Sequence, residues 1–398
     1  MTRRPCLGSL GWAVLGVVTI WLGPAVGPSH AETPPRLLVA EEGKGYLETI
    51  DGYRVLHLKG TSEEMGRQHG ALLKEAVAAN VKHLLTGDSG GLDPAVRAMA
   101  GGILTANFRD KIPDRFLREM RALAQAAGLA EDRVFACNLI PELFHCSGFA
   151  LLSKATATGD LYHGRVLDYG VDQRLQEHAV LIIQEPDGRE PFVNVSYAGF
   201  IGSVTGMNTA GISVGEMGGG GVGKWNGVPM SFLVRMALEG ARGLEQAVGV
   251  FTDNRRTCEY YYVIADASAD SAVGLWATPE KVVRVGPGEA HERLPTPVPH
   301  TVILSADDRY RRLAERIREG AGTFTPGKAL RLMDAPVAMT SNLHDALMIP
   351  KRGILYVANA ARDGSPAWKQ PYHRFDIRRL MNERPKHRLP AGALQAAR

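Results

Sequence analysis

The chain has 398 residues, 45% of them hydrophobic, enough apolar material for one large core or two smaller ones. Its 46 basic and 42 acidic residues nearly cancel, and no basic run is interleaved with aromatics, which argues against a nucleic-acid partner. Beyond the first 31 residues no stretch offers the roughly 18 uninterrupted apolar residues of a spanning helix.

Residues 1–31 stand apart. Arg3 and Arg4 precede an apolar run from Leu7 to Leu22, and Ser29-His30-Ala31 makes a small-residue end. This is the pattern of a secretory signal cleaved near Ala31. A membrane anchor is the alternative, and Gly8, Gly11 and Gly16 inside the run favour the signal. The mature protein is then expected to be exported, periplasmic or secreted, without a stable membrane span. Cys6 would leave with the signal, so Cys137, Cys146 and Cys258 remain. An odd number implies one disulfide plus a free thiol, or three free thiols; Cys137–Cys258 is the pairing that spares Cys146.

Residues 45–60 read as two strands. Thr61 and Ser62, with Glu63 and Glu64 in the first turn, open a helix that continues to Leu84. The helical pattern resumes from Pro94 to Leu129, breaks at Gly128 and the polar Glu131-Asp132-Arg133, and ends in a short helix from Val134 to Leu139. At Cys146 the texture changes to strands. Phe149–Leu152 and Leu161–Leu167 form a hairpin about Thr158-Gly159-Asp160. Further strands are expected at 180–183, 192–195, 201–205 and 212–214, then helices at Pro229–Gly240 and Leu244–Phe251. Strands at Tyr260–Ile264, Val273–Trp276, Val302–Leu304 and Ile354–Val357 follow, with a basic helix at Asp307–Glu319. Helices, strands, helices, strands in that order give an α/β body with antiparallel sheets, not a βαβ repeat. His69 and His83 read as packed or surface histidines, because no histidine pair has metal-ligand spacing. No metal or other cofactor is expected.

Two motifs are weaker than they look. Gly218 to Lys224 fits GxxxxGK, but Trp225 stands where a hydroxyl should bind magnesium, and no helix follows; a flexible loop beside a cleft is the better reading. Gly211-Ile212-Ser213-Val214-Gly215 fits GxSxG, yet it alternates like an ordinary strand and lacks the strand–turn–helix of a nucleophile elbow.

Cys146 is the candidate nucleophile, against the reading of a small buried hydrophobe. A thiol nucleophile needs a base. The surround of a papain-type cysteine is missing. The other route is a chain cut just before the cysteine, whose new α-amine has a pKa near ~7.7–8.0 and accepts the thiol proton around neutral pH.

Several motifs then resemble one family in the right order. Gly60-Thr61-Ser62-Glu63-Glu64-Met65-Gly66-Arg67-Gln68-His69-Gly70 resembles its pre-nucleophile helix start. Cys146-Ser147-Gly148-Phe149-Ala150 is similar to its nucleophile strand, and Gly164-Arg165-Val166-Leu167-Asp168 to the R-x-x-D of its cousins. Gly206-Met207-Asn208-Thr209-Ala210-Gly211 matches a G-M-N-x-x-G turn, and Asn342-Leu343-His344 a late N-x-H strand. The chain thus resembles the acyl-coenzyme A:isopenicillin N acyltransferase-like group of N-terminal-nucleophile hydrolases, related to choloylglycine hydrolases and acid ceramidase.

The resemblance implies a four-layer αββα fold with two stacked antiparallel sheets and self-cleavage between His145 and Cys146. Residues 32–145 would form a mainly helical α-fragment and 146–398 the catalytic β-fragment, each the other's partner. Cys146 would be both processing residue and nucleophile, Arg165 and Asp168 would orient and polarise it, and Asn208 would donate to the oxyanion. The acyltransferase branch carries a later His-Thr-Asn, where this chain reads His300-Thr301-Val302; Asn342 and His344 are the tentative further members. Arg309 reads as a surface helix residue, with a late arginine of the cousins as the alternative. The expected activity is hydrolysis of, or acyl transfer from, a small non-peptide acyl amide or acyl donor through a Cys146 thioester. Two other readings remain open: a cysteine peptidase or amidase without self-cleavage, using a histidine such as His344, and an inactive exported binding protein of the same fold.

Overall fold

The computed structural model of the protein describes residues 34–86, 108–139, 145–221 and 223–390. The expected signal, the first part of the helical 94–129 stretch and the Ile140–Phe144 approach to the cysteine lie outside the described residues. In chain order the elements are β1 (Arg36–Glu42), β2 (Gly45–Ile50), β3 (Tyr53–Gly60), α1 (Ser62–Leu72), α2 (Lys74–Thr86), α3 (Asp114–Ala127) and α4 (Glu131–Leu139). Then come β4 (His145–Leu151), β5 (Tyr162–Asp168), β6 (Ala179–Pro186), β7 (Phe192–Tyr197), β8 (Thr205–Asn208), β9 (Ile212–Gly218), α5 (Met230–Gly240) and α6 (Leu244–Asp253). The chain closes with β10 (Tyr260–Asp266), β11 (Ser271–Ala277), β12 (Val282–Val285), β13 (Thr301–Leu304), α7 (Asp307–Gly320), α8 (Pro326–Arg331), β14 (Asn342–Ile349), β15 (Ile354–Asn359), β16 (His373–Asp376), α9 (Ile377–Asn382) and β17 (His387–Arg388).

Among the described residues the strands form an eleven-stranded sheet, ordered β12-β11-β10-β9-β8-β7-β6-β3-β2-β1-β17, and a six-stranded sheet, ordered β13-β4-β5-β14-β15-β16. The smaller sheet is antiparallel throughout. The larger one carries two parallel pairs, β3 on β6 and β1 on β17, so the expectation of wholly antiparallel sheets needs that amendment. The parallel β3–β6 pair requires a long crossover, and the helices α1 to α4 supply it before β4 and β5 enter the other sheet. The two sheets stack face to face through β4, β5 and β13 against β9, β10 and β11, while α1, α5 and α6 cover the larger sheet and α7 and α8 the smaller. This is the αββα layering.

Each residue of the Gly60–Gly70 motif has a physical reason. Gly60 adopts φ +120°, outside the range of an L side chain. Thr61 caps α1: its Oγ1 accepts from Glu64 N at 3.2 Å, and Glu64 Oε2 accepts from Thr61 N at 2.8 Å, a reciprocal capping box. Gly66 and Gly70 lie against α3 so closely that a Cβ on either would overlap the carbonyl oxygen of Glu119 or Leu123. The partner helix α3 buries Phe116, Met120, Leu123 and Ala127 on one face and stops at Gly128, φ +73°, a left-handed C-terminal cap.

Three sequence expectations change. The helix beginning at Ser62 breaks at Leu73 into α1 and α2. Glu131–Arg133, expected as a break, forms the acidic first turn of α4. Residues 201–204 are not strand: Ile201 N is taken by Asn138 Oδ1 at 2.8 Å and Ser203 N by the Ser231 carbonyl at 2.9 Å, so β8 starts at Thr205. Side-chain and helix acceptors compete with the ladder here, which periodicity does not report.

The helix layer is also pinned across the cysteine's position in the chain. Arg235 of α5 donates to both carboxylate oxygens of Glu119 on α3, at 2.9 and 2.7 Å, and to the Ile201 carbonyl at 2.8 Å. Both side chains are buried. We predict that Gly66→Ala lowers stability by about 1–3 kcal/mol, the usual cost of forcing a methyl into a filled contact. The urea-unfolding midpoint of the variant measures it.

Candidate active site

Strands β4 and β5 pair antiparallel with His145 opposite Asp168, Cys146 opposite Leu167 and Gly148 opposite Arg165. Residues opposite one another share a face, and faces alternate along a strand. Cys146, Gly148 and Arg165 therefore face the larger sheet, while Ser147 and Asp168 face α7. The sheets approach closely at Gly148, where a Cβ would lie 3.0 Å from the Met217 sulfur.

Cys146 is buried and borders a cavity of about 680 Å³ with Met217, Trp276, Leu304, Arg309 and Met339. Burial pushes its thiol up to about 11; the nearby Glu216 and Asp168 carboxylates add to the rise and Arg165 opposes it. The thiol is thus protonated at neutral pH, and a role as nucleophile would require a base.

Arg165 is fully buried. It donates to the Val166 carbonyl and approaches Glu216 Oε2 at 3.4 Å. It reaches Glu216 past Gly215, where a Cβ would sit 3.1 Å from the Arg165 Cδ. Asp168 accepts from Met339 N at 2.9 Å and from Arg309. Burial raises its carboxyl, and Arg309 and the Met339 amide counter this.

Arg309, expected on a surface, points inward from the first turn of α7. Besides Asp168 it binds Ser147 Oγ at 2.8 Å and the Val337 carbonyl at 2.7 Å, and Ser147 Oγ lies 2.6 Å from Ser305 Oγ. The sequence contained a signal: Arg309 follows the Val302–Leu304 strand by one helical turn. Only the pairing of β13 with β4 makes that proximity meaningful.

Asn208 is placed elsewhere. Thr205 and Met207 of β8 face the smaller sheet, so Asn208 faces the helices. There its Nδ2 donates to the carbonyls of Leu238 and Ala241 at 2.9 and 2.7 Å, and its Oδ1 accepts from Ile212 N at 2.9 Å. These bonds tie the end of α5 to the β8–β9 turn and leave no amide proton for an oxyanion on Cys146. The oxyanion role expected of Asn208 is accordingly withdrawn.

Asn342 lies opposite Asp168 on β14, but its Nδ2 is directed at the Leu167 carbonyl at 3.2 Å and Asp345 Oδ1 at 3.0 Å, and its Oδ1 accepts from Trp368 N at 2.9 Å. His344 sits between the sheets, with Nδ1 at 2.8 Å from Tyr197 Oη and Nε2 at 3.0 Å from Thr205 Oγ1. Burial holds its pKa well below the usual histidine value. Both of its nitrogens are engaged away from the thiol. At His300-Thr301-Val302, Thr301 Oγ1 donates to the Val298 carbonyl at 2.7 Å.

All three described cysteines are free thiols. Cys137 and Cys258 belong to different hydrophobic clusters, which is the three-free-thiol alternative of the sequence reading. Lys224 pairs with Glu280 at 3.1 Å, and the carbonyls of Gly220 and Lys224 accept from the Glu259 and Cys258 amides just before β10, which is no phosphate cradle. Ser213 lies fully buried on β9 with its Oγ 2.8 Å from His163 Nδ1, not on an exposed elbow.

Residues 155–293 match the family model of the acyl-coenzyme A:6-aminopenicillanic acid acyl-transferase; that stretch holds Arg165 and Asp168 and begins after Cys146. Protein dcd1B of Dictyostelium discoideum is 26% identical over 414 residues, covering 90% of this chain and 81% of its own. Acid ceramidase of Rattus norvegicus is 25% identical over 179 residues, covering 38% of this chain and 45% of its own. Among solved structures, the Caenorhabditis elegans N-acylethanolamine-hydrolyzing acid amidase ortholog is 17% identical and covers 58% of this chain and 100% of its own, at a TM-score of 0.42. Over residues 155–293 the chain is thus similar to the acyl-coenzyme A:6-aminopenicillanic acid acyl-transferase family.

Proposed function

We propose that this protein is an exported, self-processing enzyme that hydrolyses a small non-peptide amide, or transfers its acyl group, through a thioester on Cys146. The observation that carries the reading is the position of Cys146: at the start of β4, beside a cavity, with Arg165 on its own face and the Arg309–Asp168 pair on the other. Hydrolysis of the His145–Cys146 bond adds hydroxyl to the His145 carbonyl and leaves an α-amine on Cys146. That amine takes the Sγ proton, sulfur bonds the substrate carbonyl carbon, and the amine returns the proton to the departing nitrogen as the C–N bond breaks. Water, or an acceptor amine, then attacks the thioester and regenerates the thiol. Arg165 favours the thiolate by its charge. Asp168, one residue from register with Cys146, is close enough to stabilise the protonated amine. The N-terminal charge and apolar pattern support export.

A peptidase that uses His344 as its base is less well supported, because Tyr197 and Thr205 hold both ring nitrogens. Intact mass and N-terminal sequencing should give two chains beginning near Glu32 and at Cys146, and Cys146→Ala should remain one chain and lose turnover by roughly 10³-fold or more. A wild-type protein that stays whole yet turns over amides would sink the self-processing reading. The pH profile of kcat/KM should rise with an apparent pKa near the ~7.7–8.0 of an α-amine, since the base must be unprotonated; activity falls as pH drops through it.

Glu216→Gln removes a carboxylate that raises the thiol. The Cys146 pKa should then fall below about 11, and alkylation at pH 8 should quicken about three- to tenfold. An unchanged alkylation rate would show that Glu216 does not set the thiol's charge state.

A further inference from the structure

The wall of the Cys146 cavity formed by the larger sheet carries a cation that the chemistry above does not use. Trp276 of β11 has the Arg293 guanidinium 4.6 Å from its ring centroid and the Lys281 ammonium 4.1 Å from it. Arg293 Nη1 is further fixed by Glu259 Oε1 at 3.1 Å and Tyr261 Oη at 2.6 Å. Burial and Glu259 push the Tyr261 phenol up to about 12, so it remains a neutral anchor. Stacking on the indole together with one tethered nitrogen sets the orientation of the guanidinium fork. Among the described residues no hydrogen bond engages Arg293 Nε or Nη2. Arg293, Trp276 and Tyr261 border the same cavity as Cys146.

Arg293 is paired with Glu259 at 3.1 Å and still presents two donors to the cavity. The opposite lip, where α7 begins, bears Asp307, Asp308 and Arg309, of which Asp308 is paired with Arg311 and Arg309 with Asp168. Between the two lie apolar side chains, Met217, Val285, Leu294 and Leu304. A planar fork with two undirected donors at the end of an apolar trough matches a carboxylate, which accepts two parallel bonds from a guanidinium.

We propose that Arg293 is a specificity-determining residue that selects acyl amides bearing a carboxylate, with their apolar portion along the trough towards Cys146. This rests on the proposed function for the identity of the reacting bond but not for the recognition itself. The test is therefore binding, measured by titration calorimetry on Cys146→Ala, which consumes no ligand, and on the same variant with Arg293→Gln. Two matched pairs serve as probes: N-decanoylglycine with N-decanoylglycinamide, and the monoamide of sebacic acid with decanamide. The first pair carries the carboxylate on the amine side, the second on the acyl side.

In at least one pair the carboxylate ligand should bind tenfold or more tightly than its neutral partner. Arg293→Gln should bring the two within about twofold (~0.4 kcal/mol) while leaving the neutral ligand's affinity unchanged, which also shows that the variant is folded. Equal affinities in both pairs, a preference that survives Arg293→Gln, or no binding of any of the four would overturn the proposal. Self-cleavage and turnover play no part in these readings, so a failure of the proposed chemistry is seen separately, in the intact mass of the wild-type protein.

Discussion

The antiparallel register of β4 on β5 is the constraint on which the site depends. With Cys146 opposite Leu167 and His145 opposite Asp168, the thiol shares a face with Arg165 while Asp168 faces the helix that carries Arg309. A slip of one residue would exchange the two faces, putting the thiol against α7 and the carboxylate between the sheets. Several independent contacts oppose such a slip. Gly148 admits Met217 across the sheet gap, Phe149 packs over Gly164, and Ser147 is held by Ser305 and Arg309. The residues around the cysteine therefore act first as a registration device, and their electrostatic effects follow from it.

Burial and the Glu216 and Asp168 carboxylates raise the thiol together, and the charge of Arg165 opposes them. The closed position that shields Cys146 also raises its pKa to about 11, against about 8.5 for an unperturbed thiol. Arg165 alone does not reverse this, because Glu216 sits beside its guanidinium. Such a site keeps its sulfur protonated and unreactive until a base arrives next to it. A deprotonated thiol is the form open to oxidation, and a buried, protonated one is protected from it.

Much of the architecture was legible in the residues because local chemistry dictates it. The Thr61–Glu64 capping box, the Gly128 stop and the alternation from Phe149 to Leu152 depend on neighbours a few positions away. The Gly60–Gly70 spacing was readable as a motif, and its cause, the contact of α1 with α3, emerged only in three dimensions. The misplaced residues share a different trait. Asn208 occupies a turn whose sequence suits an exposed amide, but strand alternation turns it towards the end of α5. Arg309 lies in a helix rich in charge, and only the β13–β4 pairing brings that helix to the strand of Cys146. Facing and pairing across distant segments decide both cases, and periodicity within a segment is silent on them.

The parallel pairing of β3 with β6 has a consequence for the order of events in the life of the molecule. Residues 55–60 are zipped to residues 181–186, so the larger sheet is composite, built from chain on both sides of Cys146 and stapled again by Glu119 and Arg235. The smaller sheet, by contrast, is built wholly from residues 145 onward. A break before Cys146 in a nascent chain would orphan two unpaired strand edges, whereas the same break after closure leaves a single body with one more chain end. If the proposed cut before Cys146 takes place, closure of the larger sheet has to come first.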